Sequence, residues 1–280
     1  MVQKATIPAT EINTLESSHV AQEFRISIAL PYSYPEQPER TYPTVYLLDA
    51  NWYFGMVTET VRIMSLCASL PEVLVVGIGY PADEPLLANF PTLWQCRSRE
   101  YSPIRDEVSV KSDQEWLKVD FEQGGAANFL RFIHEELLPF IEGAYRATPG
   151  DRVLVGHSLG GLFALYALFH QPKLFTKYVA ISPSLLFGQG VMFEYERQYA
   201  AAHDDLPIEL YLGVGLEEEG EFAIVGDLLR LAATLERRGY KDFKLTKRIY
   251  EGGEHCGVTA PLFQAGLQAV LEDYPKRALW

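Results

Sequence analysis

The sequence has few cysteines and few basic residues. Its three cysteines, Cys67, Cys96 and Cys256, show no C-x-x-C spacing, which excludes a disulfide framework and argues against thiol redox or zinc chemistry. Lys and Arg number 24 against 37 Asp and Glu, so the net charge is −13. A surface this acidic repels phosphate backbones and anionic lipids. We therefore predict no nucleic-acid partner and no membrane partner.

Long apolar runs are also missing. No stretch of about 18 apolar residues occurs, and the N-terminal segment has no apolar run of the kind that precedes a signal cleavage site. Together with the few cysteines, these absences predict a cytoplasmic protein. The hydrophobic residues, 48% of the total of 280, are spread along the whole chain, which indicates a folded protein with a large core. We predict one domain over residues 1–280; whether several copies associate stays open.

Common cofactor and metal motifs are absent as well. The chain contains no H-E-x-x-H, no GxxxxGK[ST], no EF-hand loop and no G-x-G-x-x-G after a first strand. The triplet HEE at residues 134–136 lacks a second histidine four positions after the first, so it does not form a zinc motif. We predict neither a cofactor nor a metal.

What is present is an alternation of strand-like and helix-like patterns. An amphipathic strand pair is predicted at residues 11–17 and 21–30. Runs that are apolar on both faces, as central strands of a covered parallel sheet require, lie at residues 44–50, 73–79 and 152–158, with further strands at 177–182, 208–215 and 243–250. Helical patterns lie at residues 55–68, 126–145, 160–170, 222–238 and 260–274. The alternation predicts an α/β fold with a mostly parallel, doubly wound sheet and helices on both faces.

The segment 81–123 follows neither pattern. It contains four prolines and the aromatic residues Phe90, Trp94, Tyr101, Trp116 and Phe121. A connection of this length in a compact domain usually has a function. We predict that it is an inserted cap or a substrate-binding loop.

The strongest chemical signal is the sequence GHSLG at residues 156–160, a G-x-S-x-G between a predicted strand and a predicted helix. In such a turn the serine has strained backbone angles and the glycines avoid steric clashes. We predict that Ser158 is a nucleophile. Leu159 opens the helix, so its amide N–H is predicted to form half of an oxyanion hole. We expect His157 to pack within the protein, because neighbouring side chains on the turn diverge.

A serine nucleophile needs a base, and three histidines follow Ser158 in the chain. His170 ends the predicted elbow helix, and His203 lies in a polar stretch before a strand. His255 lies in a glycine-rich loop after the last predicted strand, a position that returns it to the carboxyl edge of the sheet. We predict that His255 is the base.

The acid is expected on the loop after the predicted strand at 208–215, where three consecutive glutamates follow. A carboxylate there would accept a hydrogen bond from Nδ1 of His255 and stabilise the imidazolium. The pattern does not separate the three, since acidic residues also favour the first turn of a helix. Glu218 is the first choice and Glu217 the second, with Glu219 left open.

The sequence resembles the putative-esterase family of α/β-hydrolases, which includes enterochelin-type siderophore esterases, S-formylglutathione hydrolases and mycolyltransferases. The similar stretches cover most of the chain and are YPTVYLLDANWYF (42–54), RSREYSP (97–103), GGAANFLRFIHEELLPFIEGAYR (124–146), VGHSLGGLFALYAL (155–168), YVAISPSL (178–185), LGVGLEEE (212–219) and GGEHCGV (252–258). They are most similar to the enterochelin-esterase-like branch. The resemblance implies an α/β-hydrolase fold.

The resemblance also implies roles for single residues. The nucleophile and base of the family fall on Ser158 and His255, and its acid falls on Glu218. Its second oxyanion donor, a backbone N–H, falls on Asn51. Ala50 stands where the family usually has glycine.

Further residues match a stretch near the family's pocket or lie in the aromatic segment. Arg99, or alternatively Arg97, and Tyr101 are candidates for substrate contact, although the arginines could equally pair with carboxylates. Aromatic rings such as Trp94 and Trp116 could stack on a planar substrate group.

Together these features predict a serine esterase that cleaves a small-molecule carboxylic ester through an acyl-enzyme. The family branch suggests a siderophore-type lactone or another bulky aryl or polyol ester as substrate. The alternatives are an acyltransferase, a thioester hydrolase of the S-formylglutathione type, and a non-catalytic binding module on a hydrolase fold.

Overall fold

A mostly parallel sheet forms the centre of the molecule, for which a computed structural model describes residues 5–82, 86–219 and 223–276. Within these ranges the strands are Thr10–Ser17 (β1), Gln22–Ala29 (β2), Tyr42–Leu47 (β3), Leu74–Gly79 (β4), Ala147–His157 (β5), Lys177–Ile181 (β6), Glu209–Gly215 (β7) and Lys244–Tyr250 (β8). Their order across the sheet is β1-β2-β4-β3-β5-β6-β7-β8. Only β1 with β2 and β2 with β4 pair antiparallel; the other pairs are parallel.

Helices cover both faces of the sheet. They are Ala50–Leu66 (α1), Phe90–Tyr101 (α2), Glu107–Leu117 (α3), Ala126–Phe132 (α4), Leu138–Ala144 (α5), Leu159–His170 (α6), Phe187–Ala202 (α7), Ile224–Arg238 (α8) and Thr259–Val270 (α9). The apolar residues of α1 and α9 belong to the core on one face, and those of α2, α4, α6, α7 and α8 to the core on the other. The predicted doubly wound α/β fold is therefore confirmed. Across the described residues, no helix is long and apolar enough to cross a membrane.

The central strand β5 shows how the sequence specifies both cores. Its residues Val153 and Val155 pack on the face with α1 and α9, whereas Leu154 packs on the opposite face, because successive side chains of a strand alternate in direction. Helix α6 follows β5 and is buried almost throughout, since α2 and α7 pack against it. A helix that is apolar on all sides needs such complete cover.

The start of α1 differs from the sequence prediction. The predicted strand at 44–50 ends at Leu47, and α1 begins at Ala50 instead of residue 55. Asp49 adopts a left-handed conformation, with φ 54° and ψ 40°, and ends the extended segment. The apolar residues on both sides of Asp49 hide this break in the sequence pattern.

The segment 81–123 is not a long irregular loop. It contains α2 and α3, preceded by the short 3₁₀ helix Leu86–Asn89. Helix-start signals are present in the sequence: a proline lies in the first turn of α2, and the carboxylate of Asp106 accepts a hydrogen bond from the Val108 amide at the start of α3. The prolines and aromatics of the segment masked these signals.

Two further helical regions depart from expectation. The sequence predicts no helix over α7, whose residues Gly188 and Gly190 have φ values of 57° and 81° and interrupt its first turn. The single helix predicted at 126–145 is divided by the π-helical turn Ile133–Leu137. Phe222, the predicted first residue of α8, lies outside the described residues.

Candidate active site

The serine of the G-x-S-x-G motif lies on a strained turn between β5 and α6. Ser158 has φ 59° and ψ −120°, a conformation that costs a non-glycine residue on the order of 1–3 kcal/mol. Backbone hydrogen bonds hold it there: the Ser158 amide donates to the Ile181 carbonyl at 2.9 Å, and the Ser158 carbonyl accepts from the Leu162 amide at 2.9 Å. The turn is therefore tied both to the end of β6 and to the first turn of α6.

The first glycine of the motif is required by a close approach, and the second lies in a tight environment. A Cβ atom on Gly156 would lie 2.2 Å from the carbonyl oxygen of Gly160, so no side chain fits there. A Cβ atom on Gly160 would lie 3.3 Å from Oδ2 of Asp49. The first turn of α6 thus lies close to the end of β5, and the Asp49 carboxylate before α1 lies near it.

His255 and Glu218 form a hydrogen-bonded pair at the carboxyl edge of the sheet. Nδ1 of His255 lies 2.6 Å from Oε2 of Glu218. The other carboxylate oxygen accepts hydrogen bonds from the Ser182 hydroxyl and the Gly215 amide, both at 2.7 Å. Glu218 is fully buried, while the His255 side chain is 21% exposed. Such a fixed carboxylate sets the tautomer of the imidazole, with its proton on Nδ1 and a lone pair on Nε2.

The neighbouring glutamates have different surroundings. Glu217 is exposed to solvent. Glu219 accepts a hydrogen bond from the Gly226 amide at 2.9 Å, in the first turn of α8, where a carboxylate satisfies a free N–H. Of the three glutamates, it is Glu218 that contacts His255.

His157 links the serine turn to the loop of His255. Its Nε2 lies 2.9 Å from the main-chain carbonyl oxygen of His255, and the two imidazole rings have centroids 4.5 Å apart. His255 therefore lies beside the residue that precedes Ser158. The structure brings Ser158, His255 and Glu218 to one edge of the sheet, on the loops after β5, β8 and β7.

The other two candidate histidines contact helix ends. Nδ1 of His170 lies 2.9 Å from the carbonyl oxygen of Tyr166, and Nδ1 of His203 lies 3.1 Å from that of Tyr199. Both carbonyls are four residues earlier in the same helix, so these rings satisfy acceptors at the helix C-termini.

Asn51 lies in the first turn of α1, where amide groups have no acceptor within the helix. Its side chain is held by the backbone of Tyr80: Nδ2 donates to the carbonyl at 2.9 Å, and Oδ1 accepts from the amide at 2.8 Å. The left-handed residue of this segment is Asp49, and Ala50 belongs to the helix. The substitution of the family's usual glycine by Ala50 is therefore sterically acceptable.

A buried ion pair between Arg97 and Asp49 holds the segment that precedes α1. Nε and Nη2 of Arg97 each lie 2.9 Å from an oxygen of Asp49, and both side chains are buried. The Asp49 amide donates to the Tyr101 hydroxyl at 3.0 Å, and Tyr101 is fully buried. Arg97 and Tyr101 thus contact the segment before Asn51, and neither lies at an open surface where substrate would meet it.

Arg99 also pairs with a carboxylate. Its Nη2 lies 2.6 Å from Oε1 of Glu100, and it contacts Gln22. The Tyr80 hydroxyl donates to the other oxygen of Glu100 at 3.1 Å. Glu100 is completely buried, and this burial raises its pKa to about 7 although Arg99 and Tyr80 oppose the rise.

Trp94 lies in a cluster of rings formed by α1, α2 and α3. Its ring centroid is 5.7 Å from that of Phe90 and 5.4 Å from that of Trp116. Trp52, which directly follows Asn51, lies 6.0 Å from Phe90. Trp116 is 59% exposed. We call these four residues the aromatic cluster; it joins the segment 81–123 to the start of α1.

Two serines near the site were missed by the sequence reasoning. Ser182, at the carboxyl end of β6, donates to Glu218, and the Ser184 hydroxyl lies 3.4 Å from that of Ser158. Both belong to the stretch YVAISPSL, and the position of Ser182 as the last residue of the strand predicted at 177–182 was the available signal. Within the ranges that the structure describes, no group of three or more His, Cys, Asp and Glu residues could hold a metal ion.

A serine on a strand-to-helix turn, with a carboxylate and an imidazole on later loops at the same sheet edge, is the arrangement of the α/β-hydrolases. The sequence model of the family described as Putative esterase matches residues 17–92 and 101–255. The chain belongs to this family and is an esterase, as the sequence predicted.

Individual relatives agree with this assignment. The ferri-bacillibactin esterase BesA of Bacillus subtilis is 33% identical over 233 residues, which cover 80% of this chain and 76% of BesA. A siderophore triacetylfusarinine C esterase of Aspergillus fumigatus is 26% identical, with 83% of this chain and 82% of that protein covered. The crystal structure of the BES protein from Bacillus cereus superposes with a TM-score of 0.82 at 27% identity, covering 97% of this chain and 99% of that one.

Proposed function

We propose that the protein hydrolyses a carboxylic ester through an acyl-enzyme on Ser158, with His255 as base and Glu218 as acid. The observation that carries this proposal is the 2.6 Å contact between His255 Nδ1 and the buried Glu218 carboxylate. Two further donors fix this carboxylate in place. It therefore holds the proton of the imidazole on Nδ1, which leaves a lone pair on Nε2. That lone pair can take the proton of the Ser158 hydroxyl.

The reaction then proceeds in two halves. Ser158 Oγ attacks the ester carbonyl as His255 accepts its proton, and the protonated imidazole gives this proton to the departing alcohol. Water, activated by the same imidazole, releases the acid in the second half. In both halves negative charge develops on the carbonyl oxygen, where amide N–H groups can stabilise it.

The proposed donors for this charge are the backbone amides of Leu159 and Asn51. Each lies in the first turn of a helix, and the carboxylate of Asp49, the residue before α1, lies near Gly160 in the first turn of α6. One such donor is typically worth about 2.7–4 kcal/mol of transition-state stabilisation. Displacement of either amide is therefore expected to cost roughly a hundredfold or more in rate.

We further propose that the segment 81–123 is a substrate-binding cap and that its aromatic cluster receives a planar ring of the substrate. Trp116 leaves more than half of its surface open, and Trp52 connects the cluster to the Asn51 amide through the chain. Offset or edge-to-face ring contacts of this kind contribute about 0.5–1.5 kcal/mol each. Trp94 is the proposed contact residue; Arg99, half-buried and paired with Glu100, is a second candidate at the edge of the cap.

The substrate class follows from the relatives and the rings together. Esterases for ferri-bacillibactin and for triacetylfusarinine C are similar to this chain over most of its length. We propose a siderophore-type ester as the substrate, bound by its planar groups on the aromatic cluster.

A comparison of the wild type with Ser158→Ala tests this function. The wild type is expected to hydrolyse a short-chain nitrophenyl ester and a catecholate trilactone, and Ser158→Ala is expected to hydrolyse neither while keeping its circular dichroism spectrum. Product analysis with added glycerol separates hydrolysis from acyl transfer, and S-formylglutathione tests thioester cleavage. Turnover by Ser158→Ala at the wild-type rate would exclude the proposed nucleophile.

We also propose a cytoplasmic location. Cys67 and Cys256 are exposed free thiols, and Cys96 is free and partly buried; exposed thiols persist in reducing compartments. Cell fractionation is expected to recover the protein with a cytosolic marker, and recovery from the medium would contradict this proposal.

A further inference from the structure

We propose that His157 is a positioning residue: it fixes the His255 loop against the serine turn by donating a hydrogen bond to the His255 main chain. This inference rests on the proposed function of Ser158 and His255. It differs from the packing role that the sequence predicts for His157, because the ring makes two directed polar contacts.

The partners of His157 determine its tautomer. Nε2 faces the carbonyl oxygen of His255 at 2.9 Å, and since a carbonyl oxygen only accepts, Nε2 must carry the proton. Nδ1 then has a lone pair, which accepts from the Tyr53 hydroxyl at 3.1 Å. The neutral ring thus has a partner for both nitrogens.

The surroundings of His157 keep it neutral. Burial lowers its pKa well below the ordinary value for histidine, and the nearby His255 and Arg97 lower it further. His157 is only 3% exposed. It can therefore act as a constant hydrogen-bond donor while the neighbouring His255 gains and loses a proton during turnover.

The loop that carries His255 needs such an anchor. Gly252 and Gly253, which precede His255 closely, have φ values of 88° and 87°, a region that glycine adopts freely. Glu218 holds the imidazole of His255 by Nδ1. The bond from His157 holds the main chain of the same residue, so it restrains the loop as well as the ring.

The same ring also joins a third part of the site. Tyr53 lies in α1, two residues after Asn51, and its ring packs at 5.2 Å against Phe263 of α9. The chain of contacts from Tyr53 through His157 to His255 therefore connects the proposed donor segment, the serine turn and the base loop. Each of these segments supplies one part of the proposed machinery.

Two substitutions of His157 separate positioning from packing. In His157→Asn the amide oxygen takes the place of Nδ1 and accepts from the Tyr53 hydroxyl. The side chain has no N–H at the position of Nε2, so it does not reach the His255 carbonyl. In His157→Gln the longer side chain brings an N–H close to the position of Nε2. Displacement of a reacting group by about 1 Å costs roughly 10²-fold in rate, so we expect kcat of His157→Asn to fall about 10- to 100-fold. KM should stay near the wild-type value, and His157→Gln should recover most of kcat.

Steady-state kinetics on a nitrophenyl ester and thermal unfolding of each variant provide the measurements. Equal kcat values for His157→Asn and His157→Gln would overturn the proposal, as would losses that follow the unfolding temperature alone. Histidine-selective ¹⁵N spectra of the wild type test the hydrogen bond without any variant: a proton on Nε2 of His157 is expected, and a proton on Nδ1 would contradict it. If the wild type shows no ester turnover, the proposed function fails, whereas the spectra still report on the His157 contact.

Discussion

Replacing Glu218 by glutamine tests the role of the buried carboxylate without changing its shape. One oxygen of Glu218 accepts from the Gly215 amide and the Ser182 hydroxyl. In Glu218→Gln the side-chain oxygen must take this place, because the Gly215 amide can only donate. The NH₂ group then faces Nδ1 of His255, which in the wild type lies 2.6 Å from a carboxylate oxygen.

This geometry determines the size of the effect. Two N–H groups cannot face each other, so the imidazole of His255 moves its proton to Nε2 and presents an N–H to Ser158 in place of a lone pair. In serine hydrolases, the wrong tautomer lowers kcat by about 10⁴-fold. We expect a loss of roughly 10³- to 10⁴-fold in kcat for Glu218→Gln, with KM changed little.

The assay is ester hydrolysis by purified variants with matched controls. Glu217→Gln changes an exposed neighbour and should keep wild-type kcat, and Glu219→Gln should affect only the start of α8, where Glu219 accepts from Gly226. A Glu218→Gln variant that folds and retains kcat within about threefold of the wild type would refute the assigned role. So would a large loss in Glu217→Gln.

Three further predictions concern the supports of the site. Gly156→Ala should lower the free energy of unfolding by about 3 kcal/mol or more, since its Cβ would lie 2.2 Å from a carbonyl oxygen. The control Gly143→Ala has no atom within 4 Å of the new Cβ and should not lower it in this way. Equal urea midpoints for the two variants would contradict this prediction. Burial raises the pKa of Glu100 from 4.5 to about 7, so the wild type loses stability as the pH rises through this range. Relative to the wild type, Glu100→Gln should therefore gain on the order of 3 kcal/mol between pH 4 and pH 8, and a difference in unfolding free energy that is constant with pH would disprove it. Ser182→Ala removes one of the two donors that hold the buried acid and should lower kcat about tenfold; an unchanged kcat would show that the Gly215 amide suffices.

Much of the fold could be predicted because its central strands are short apolar runs that the helices cover. β4 and β7 lie within one residue of their predicted bounds. In such buried strands the ends of the apolar run coincide with the ends of the strand. α1 could not be placed correctly, because the break at Asp49 depends on a left-handed backbone conformation that the apolar flanks conceal. The break in α7 at Gly188 and Gly190 likewise resembles a loop in sequence.

The site was predictable where one motif fixes both position and chemistry. The strand-turn-helix context places Ser158 from local sequence alone. The choice among three adjacent glutamates was not settled by local sequence, because the contact of Glu219 with α8 and that of Glu218 with His255 depend on the tertiary course of the chain. Tyr101 matches a stretch near the family's pocket, yet its burial next to Asp49 follows only from the packing of α2 against α4 and α6.

The central claim is that Ser158 is an activated nucleophile, and covalent labelling tests it most directly. A fluorophosphonate probe reacts with an activated serine hydroxyl and leaves an adduct that peptide mass spectrometry can locate. We predict one adduct per chain, on the peptide that contains Ser158, no labelling of Ser158→Ala, and strongly slowed labelling of a folded His255→Ala variant. An unlabelled wild type, or an adduct on another residue that persists in Ser158→Ala, would contradict the claim.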